Sequence, residues 1–331
     1  MNIWRHKLKN WEYWSVNLIY TPTFFYWIWM MLKFRSFTFY KNANPSIKNG
    51  GFYGDSKMDI YKLLPNNCYP KTILVEKQNT YNFEKIITEY KLSFPLILKP
   101  DIGCRGIDVE KVNSSLKIER YFREKKKNFL IQEFIDLPNE IGLFYCRMPN
   151  EKNGKITGLT LKNFLTVEGN GMESLEQLLL KNFRFAMQIT KLKTTIDLQE
   201  VLPDKVKRCL VPFGNHNRGT AFLDGKEFIS DTLTQTFNQL LKSVPGFYFG
   251  RLDIRYNTFE ELEQGKNFSI LEVNGAKSEP THIYDPKHSF WYGQKEIFKH
   301  QKIMKKIVQA HVQQVRAPNK REGLRIPKTF L

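Results

Sequence analysis

The stretch FSILEVNGAKSEPTHIYDP, residues 268–286, decides how the rest of the chain is interpreted. Its first part, residues 268–273, is mostly apolar and contains a single acid, Glu272, and Asn274 follows at once. Because successive side chains of a β-strand point to opposite faces, Glu272 and Asn274 lie on the same face of the predicted strand. A carboxylate and an amide together at the end of an apolar strand indicate a binding site.

A second strand with polar side chains on one face precedes this stretch, in GFYFGRLDIRYN at residues 246–257. Asp253 alternates there with Arg251 and Arg255, and the residues between them are apolar. Such alternation is also typical of a cross-strand charge pattern on a protein surface. Because the apolar residues of both strands predict that one face is buried, polar side chains near the strand ends favour a site.

Two neighbouring antiparallel strands would bring Asp253, Glu272 and Asn274 to one face. All three offer hard oxygen ligands, which suit Mg²⁺ held against phosphate groups. Arg251 would lie beside them, where a guanidinium can stabilise negative charge that develops on an oxyanion. The sequence therefore predicts a metal site with a catalytic arginine next to it.

A candidate phosphate-binding loop lies earlier in the chain. The apolar strand FPLILKP, residues 94–100, contains Lys99 near its end, and Gly103 and Gly106 then flank Arg105. Glycines let backbone N–H groups approach phosphate oxygens, and a lysine supplies a point charge. A surface hairpin with a chance lysine would have the same pattern, so both interpretations stay open.

A candidate adenine-binding strand follows in NFLIQEFI, residues 128–135, after a basic amphipathic helix predicted near residues 116–127. A strand that ends by exposing backbone groups can hydrogen-bond an adenine edge, and a nearby carboxylate such as Glu140 can accept ribose hydroxyls. An ordinary core strand followed by a surface glutamate is the alternative.

The composition predicts an anionic partner. The 331 residues carry 51 Lys and Arg against 33 Asp and Glu, a net charge of +18. Nucleic acid, anionic lipid and phosphorylated substrates are all compatible with this charge. Dispersed basic residues without a nucleic-acid motif argue against nucleic acid. The four cysteines form no C-x-x-C pair, which predicts buried, reduced thiols in a cytosolic protein.

The segment YWSVNLIYTPTFFYWIWMML, residues 13–32, has no charged residue. Pro22 and the scattered Trp and Tyr residues make it a poor membrane span, because these aromatics prefer the headgroup zone. With basic residues on both sides, it predicts an anchor that lies in the membrane interface. The alternative is a buried aromatic helix that packs on the main domain. An amphipathic helix from Lys295 and a basic tail close the chain.

The order of these motifs resembles the ATP-grasp superfamily, and the carboxylate-amine ligases related to D-alanine–D-alanine ligase are the nearest match. The resemblance covers about residues 71–286, with GRLDI and ILEVNGAKSEPTH as the closest stretches. It implies an α+β fold of two lobes with mostly antiparallel sheets, here preceded by the aromatic membrane-interface segment. The corresponding domains are residues 1–60 for the N-terminal region, 61–135 and 136–294 for the lobes, and 295–331 for the C-terminal helix and tail.

The resemblance also implies roles for individual residues. It makes Asp253, Glu272 and Asn274 the magnesium ligands and Arg251 the arginine beside the reacting acyl phosphate. The residues that it assigns to nucleotide binding are Lys99, Gly103, Arg105, Gly106, Gln132, Glu133, Phe134, Ile135, Glu140 and, with a poorer match, Lys162. Many relatives carry a complete α/β domain before the two lobes, whereas this chain has the aromatic segment and a glycine turn, residues 50–54, in that place.

The implied activity is an ATP- and Mg²⁺-dependent ligase, with Mn²⁺ as an alternative metal, that joins a carboxylate to an amine or thiol through an acyl phosphate. Its substrates would be small or lipid-linked molecules, and the protein would lie at the cytosolic face of an anionic membrane. A kinase on the same fold and a non-catalytic, membrane-associated nucleotide-binding protein are the alternatives.

Overall fold

The computed structural model describes residues 3–103 and 106–316. Arg105, Cys104 and the predicted basic tail from residue 317 lie outside this part of the chain. The described helices and strands, numbered along the chain, have the following bounds. The helices are α1 Ile3–Lys9, α2 Val16–Phe34, α3 Lys57–Tyr61, α4 Phe83–Glu89, α5 Ser115–Glu124, α6 Leu175–Leu180, α7 Phe183–Ala186, α8 Ile189–Leu192, α9 Asp231–Lys242, α10 Phe259–Glu263 and α11 Phe290–Arg316. The strands are β1 Thr72–Val75, β2 Leu96–Pro100, β3 Glu110–Val112, β4 Phe129–Glu133, β5 Asn139–Cys146, β6 Lys155–Asn163, β7 Leu165–Glu168, β8 Lys207–Val211, β9 Ala221–Asp224, β10 Phe249–Tyr256 and β11 Phe268–Asn274.

The first lobe is a four-stranded antiparallel sheet in the order β1-β4-β2-β3, with α4 and α5 packed on it. Its core contains Leu96 and Leu98 of β2, Phe129 of β4 and Tyr121 of α5, all at most 1% exposed. The alternation of these strands leaves Lys99 near the end of β2, as the apolar run with a late lysine predicts. The sheet therefore fixes the base of the candidate phosphate-binding loop.

The second lobe is a five-stranded antiparallel sheet in the order β11-β10-β5-β6-β9. Strands β10 and β11 pair antiparallel, and their apolar side chains form one core with α3 and α9. A small third unit consists of the two-stranded antiparallel sheet of β7 and β8 and the short helices α6–α8 that connect these strands. A capping box starts α6, because the side chains of Ser174 and Gln177 each accept a hydrogen bond from the other's backbone N–H.

The aromatic segment forms most of α2, which packs lengthwise on α11. Ile19, Thr23 and Met30 are buried at this contact, whereas the opposite side exposes Phe25 and Leu32 by 66% and 72%. The buried face agrees with the alternative of a helix that packs on the main domain, and the membrane-interface interpretation of the open face stays a prediction. None of the described helices is long and apolar enough to cross a bilayer.

The predicted burial of the cysteines is wrong for one of the three that the structure describes. Cys146 is buried and Cys68 is half-buried, but Cys209 on β8 is exposed. The strands β7 and β8 form a two-stranded sheet, and one face of so small a sheet stays in solvent. All three thiols are unpaired.

The glycine turn before α3 packs directly on the loop after β11. Ala276 N donates to Gly50 O at 2.9 Å, and Lys277 N donates to Gly51 O at 3.3 Å. Gly51 has a φ of +74°, and a Cβ there would lie 2.7 Å from the Cα of Gly275. The glycine turn of residues 50–54 thus supports the backbone immediately after Asn274.

A Gly51→Ala substitution is expected to destabilise the fold by more than Gly54→Ala. Both glycines have φ near +70°, so both variants carry the cost of about 1 kcal/mol or more that an L-residue has in this region. A Cβ at Gly54 has no neighbour closer than 4.0 Å, whereas one at Gly51 meets the backbone of Gly275. Urea unfolding measures both variants, and equal midpoints would contradict the close approach.

Candidate functional site

A cleft of about 190 Å³ lies between the two large sheets. The structure brings most of the predicted site residues into its walls. The predicted residues that line it are Lys99, Gly103, Gly106, Gln132, Glu133, Phe134, Ile135, Glu140, Lys162, Asp253 and Glu272. Arg251 and Asn274 lie immediately beside it, through their contacts with Asp253.

The register of β10 and β11 creates the acidic side of this cleft. Asp253 lies opposite Glu272, and Arg251 lies opposite Asn274. Because the side chains of one strand alternate between faces, these four residues share a single face at the end of the sheet. The two polar strand ends recognised in the sequence therefore meet, and the Nδ2 atom of Asn274 lies 3.4 Å from Asp253 Oδ2.

Asp253 is held as an anion by two cations. Arg251 donates from Nε to Asp253 Oδ1 and from Nη2 to Oδ2, both at 3.1 Å, and Lys162 Nζ donates to Oδ1 at 2.9 Å. Burial raises the pKa of Asp253, but Arg251 and Lys162 outweigh it and hold that pKa below the usual range. The carboxylate is therefore ionised at neutral pH.

Glu140 forms a second anionic centre on the same lysine. Lys162 Nζ donates to Glu140 Oε1 at 2.7 Å, and Arg255 Nε lies 3.1 Å from Glu140 Oε2. Burial lowers the pKa of Lys162, while Asp253 and Glu140 raise it, and the net direction is upward. Both oxygens of Glu140 therefore already have partners within the protein, and so does Lys162 Nζ. The contact of Glu140 with a ribose and the contact of Lys162 with a phosphate stay predictions.

The oxygen donors beside the cleft fit a magnesium ion that is shared with phosphates. Glu272 accepts no hydrogen bond from the described residues, and Asn274 uses its Nδ2 atom on Asp253, which leaves its Oδ1 atom for a ligand. In the described chain, no group of three or more His, Cys, Asp or Glu side chains could hold a metal alone. Mg²⁺ usually binds through one or two carboxylates plus substrate phosphates, which is the donor set that this site offers.

Lys99 closes the opposite side of the same site. Its Nζ atom donates to the Tyr61 hydroxyl at 2.8 Å and to the Leu271 carbonyl, next to Glu272, at 3.1 Å. Burial lowers the pKa of Lys99 to about 8, against the opposing effect of the Glu272 and Asp101 carboxylates. The lysine is charged at neutral pH and lies between the loop after β2 and the acidic strand ends.

We expect the affinity of the free protein for ATP to fall as the pH rises through about 8. Above this pH Lys99 loses its proton, and with it the charge that attracts a triphosphate. Calorimetric titration of ATP between pH 7 and 9.5 measures the effect.

Two variants test the role of Lys99 in this pH dependence. A Lys99→Met variant should bind ATP more weakly and lose the pH dependence. A Glu272→Gln variant should move the midpoint to lower pH, because Glu272 raises the pKa of Lys99. An unchanged pH profile in Lys99→Met would contradict the assignment.

The candidate adenine end lies past the end of β4. Strand pairing stops at Glu133, so the backbone of Phe134 and Ile135 lies beyond the sheet ladder and lines the cleft. Lys111 Nζ lies 3.5 Å from the centre of the Phe134 ring. Gln132 has a structural role as well, since its Nε2 atom donates to Thr72 Oγ1 at 2.7 Å and to the Tyr61 hydroxyl at 3.2 Å.

Several cleft residues had no assigned role in the sequence interpretation. Lys57 donates to the carbonyl of Gly103 at 3.0 Å, and Arg218 Nη2 lies 3.4 Å from the carbonyl of Gly106. Both residues thereby support the glycine loop from outside. Arg218 also lines the wall of the cleft.

The two antiparallel lobes with a lysine-bearing cleft between them form the ATP-grasp fold, which confirms the resemblance seen in the sequence. The sequence model of the RimK-like ATP-grasp domain matches residues 55–146, which include Lys99 and Glu140 but end before β10 and β11. No curated protein matches the chain.

Solved structures of similar fold include three ligases. The D-alanine–D-alanine ligase from Bacillus anthracis is 13% identical with a TM-score of 0.40, over 78% of this chain and 67% of that one. The D-Ala:D-Ser ligase VanG from Enterococcus faecalis is 13% identical with a TM-score of 0.43, over 77% and 61%. The bifunctional glutathione synthetase from Pasteurella multocida is 12% identical with a TM-score of 0.40, over 76% and 36%. This chain therefore spans about a third to two thirds of their lengths.

Proposed function

We propose that this protein is an ATP-dependent ligase that joins a carboxylate to an amine. The observation that carries the proposal is the placement of Lys99 next to the Asp253–Glu272–Asn274 group, in a cleft between the two lobes of an ATP-grasp fold. A cation on one side and oxygen ligands on the other are what a magnesium-bound triphosphate requires. We propose ATP and Mg²⁺, or Mn²⁺ in its place, as the cofactors.

The proposed reaction has two steps. A carboxylate oxygen of the first substrate attacks the γ-phosphorus of ATP, the bond from that phosphorus to the bridging oxygen breaks, and ADP leaves. The amine nitrogen then attacks the acyl carbon, the bond to the phosphate oxygen breaks, and the nitrogen loses a proton as phosphate departs. Mg²⁺ held by Asp253, Glu272 and Asn274 would lower the charge on the phosphates.

The residues of this chain would act mainly by position and charge in that sequence. Lys99 would hold the phosphates, and Arg251, fixed by its two hydrogen bonds to Asp253, would face the oxyanion of the reacting group. Lys162 would hold the side chains of Asp253 and Glu140 in place through its two ion pairs. Such sites work by orientation and charge stabilisation rather than by covalent chemistry of the protein.

Product analysis tests this function. Purified protein with Mg·ATP and a panel of carboxylates and amines should release ADP and inorganic phosphate together, only when both substrates are present. A kinase would release ADP and leave the phosphate on its substrate. If ADP release requires only one substrate with a hydroxyl group and yields no free phosphate, the protein is a kinase and the ligase proposal is wrong.

We also propose that the protein binds the surface of an anionic membrane on its cytosolic side, through α2. The open face of this helix presents Phe25, Trp29 and Leu32, and the basic residues Lys33 and Arg35 follow in exposed positions. Aromatic and aliphatic side chains next to basic residues are typical of helices that lie in the interface of a bilayer.

Sedimentation with lipid vesicles tests this location. We expect the protein to bind vesicles that contain about 30% phosphatidylglycerol or phosphatidylserine more tightly than pure phosphatidylcholine, because each basic residue near such a surface contributes about 1 kcal/mol. Leu32→Ser should weaken binding, whereas Leu116→Ser, an equally exposed leucine on α5, should not. If Leu32→Ser and Leu116→Ser bind anionic vesicles equally tightly, α2 does not mediate membrane binding.

A further inference from the structure

A second cavity, of about 570 Å³, lies between α2, α11 and the segment 276–280 that follows β11. Its walls are largely apolar and include Phe24 and Trp27 of α2 and Met304 of α11. The volume is that of a small-molecule site, for which about 300–1,000 Å³ is usual. The proposed nucleotide and metal contacts leave this cavity unused.

The cavity adjoins the reaction cleft through one segment of chain. Arg251 N donates to Ser278 Oγ at 3.2 Å, and Arg251 Nη1 donates to the carbonyl of Glu279 at 3.3 Å. Ser278 and Glu279 both line the cavity, while Arg251 binds Asp253 in the cleft. A molecule in the cavity would therefore have one end beside the segment to which Arg251 is hydrogen-bonded.

One carboxylate, that of Glu279, lies at this end of the cavity. Glu279 Oε2 accepts hydrogen bonds from the hydroxyls of Tyr20 and Tyr284, and Oε1 accepts none from the described residues. Lys277 also lines the cavity, but its Nζ atom is paired with both oxygens of Asp55, at 2.9 and 3.0 Å. The remaining carboxylate oxygen would attract an ammonium group and repel a carboxylate.

A buried polar atom on the cavity wall also lacks a partner. Gln301 is 7% exposed and lines the cavity, and its Oε1 atom accepts no hydrogen bond from the described residues. A buried acceptor without a donor is unfavourable, so a ligand that supplies an N–H or O–H group would relieve it. The wall therefore suits a ligand that is mostly apolar and carries at least one hydrogen-bond donor.

We propose that this cavity binds the amine substrate, and that this substrate is a primary amine with an apolar body. The ammonium group binds Glu279, and the hydrocarbon or aromatic part lies against Phe24, Trp27 and Met304. The proposal rests on the ligase function, because it places the amine next to the arginine of the reaction cleft. Glu279 and Phe24 become the residues that select the acceptor.

Binding of simple n-alkylamines to the full-length protein tests the proposal, with calorimetry in detergent-free and lipid-free buffer and a non-hydrolysable ATP analogue with Mg²⁺ present. Affinity should increase about fourfold for each added methylene from butylamine to octylamine, as expected for transfer of a methylene out of water. Hexylamine should bind at least tenfold more tightly than hexanol or hexanoate.

Two variants locate the binding. Glu279→Gln should remove the preference for hexylamine over hexanol, and Phe24→Ala should weaken octylamine binding about tenfold. Phe25→Ala is the matched control, because Phe25 is the next residue of α2, is similarly exposed and does not line the cavity. Equal weakening by Phe24→Ala and Phe25→Ala, or tighter binding of hexanoate than of hexylamine, would overturn the proposal.

The ATP analogue separates this inference from the ligase function. If the analogue binds and the amines show none of these preferences, the acceptor site is wrong and the nucleotide site stands. If the amines bind with these preferences and the analogue does not bind, the cavity takes amines, but the assignment of an acceptor substrate falls with the ligase function.

Discussion

A Glu272→Gln variant is expected to lower ATP turnover by about 100-fold or more while the fold stays intact. The substitution removes one negative charge from the predicted metal ligands and keeps the shape of the side chain. A metal that stabilises phosphoryl charge contributes several kcal/mol, and each factor of ten in rate corresponds to about 1.4 kcal/mol. The side chain of Glu272 accepts no hydrogen bond from the described residues, and Gln keeps the backbone pairing with Asp253, so the substitution removes no hydrogen bond of the strand end.

Two measurements make this result specific. The urea midpoint of Glu272→Gln should stay close to that of the unmodified protein, which separates a catalytic defect from unfolding. Glu260→Gln, an exposed glutamate on α10, is the matched control and should keep full turnover. Full turnover in Glu272→Gln would remove this residue from the metal site.

A Lys162→Met variant is expected to lose about 3 kcal/mol of folding stability together with ATP binding. The Lys162 side chain is 4% exposed and pairs with both Glu140 and Asp253. Removal of one member of a buried ion pair leaves a charge without compensation and typically costs 3–5 kcal/mol. Arg251 and Arg255 still contact the two carboxylates, so the lower end of that range applies.

The pH dependence gives this prediction a direction. Arg251 and Lys162 together hold the pKa of Asp253 below its usual range, so without Lys162 that pKa rises in the folded protein, and a fall in pH neutralises the uncompensated charge. The stability difference between Lys162→Met and the unmodified protein should therefore shrink as the pH falls from 8 to 5. Lys207→Met, which removes an exposed lysine 3.5 Å from Glu168, should leave the unfolding midpoint unchanged at every pH. A difference that grows toward low pH would contradict the buried pairing.

Much of the cleft could be predicted because its residues lie at strand ends, where local pattern and chemistry coincide. The period of two placed Glu272 and Asn274 on one face, and the apolar run before Lys99 placed that lysine at a strand end. The pairing of Asp253 with Glu272 needed only the assumption that two successive strands are antiparallel neighbours. The ATP-grasp resemblance supplied the assignment of each residue to a part of the nucleotide.

The features of the fold and the site that could not be predicted depend on contacts between distant parts of the chain, for which the sequence carries no local signal. Gly51 meets Gly275 across more than two hundred residues, and no periodicity marks either one. Tyr20 reaches Glu279 because α2 packs on α11, and an aromatic segment alone does not reveal which of its faces will be buried. The pairing of Arg255 with Glu140 could be predicted only in part. Arg255 belongs to the alternating pattern of its strand, but its partner depends on the register between β5 and β10.

Binding of Mn²⁺ in the presence of a non-hydrolysable ATP analogue, followed by electron paramagnetic resonance, tests the central claim most directly. The claim is that Asp253, Glu272 and Asn274 hold a divalent ion against the phosphates that Lys99 binds. The unmodified protein should take up one Mn²⁺ per chain only when the analogue is present, and both Glu272→Gln and Lys99→Met should weaken that uptake at least tenfold. Mn²⁺ uptake that needs no nucleotide, or that both variants retain at full affinity, would contradict the account.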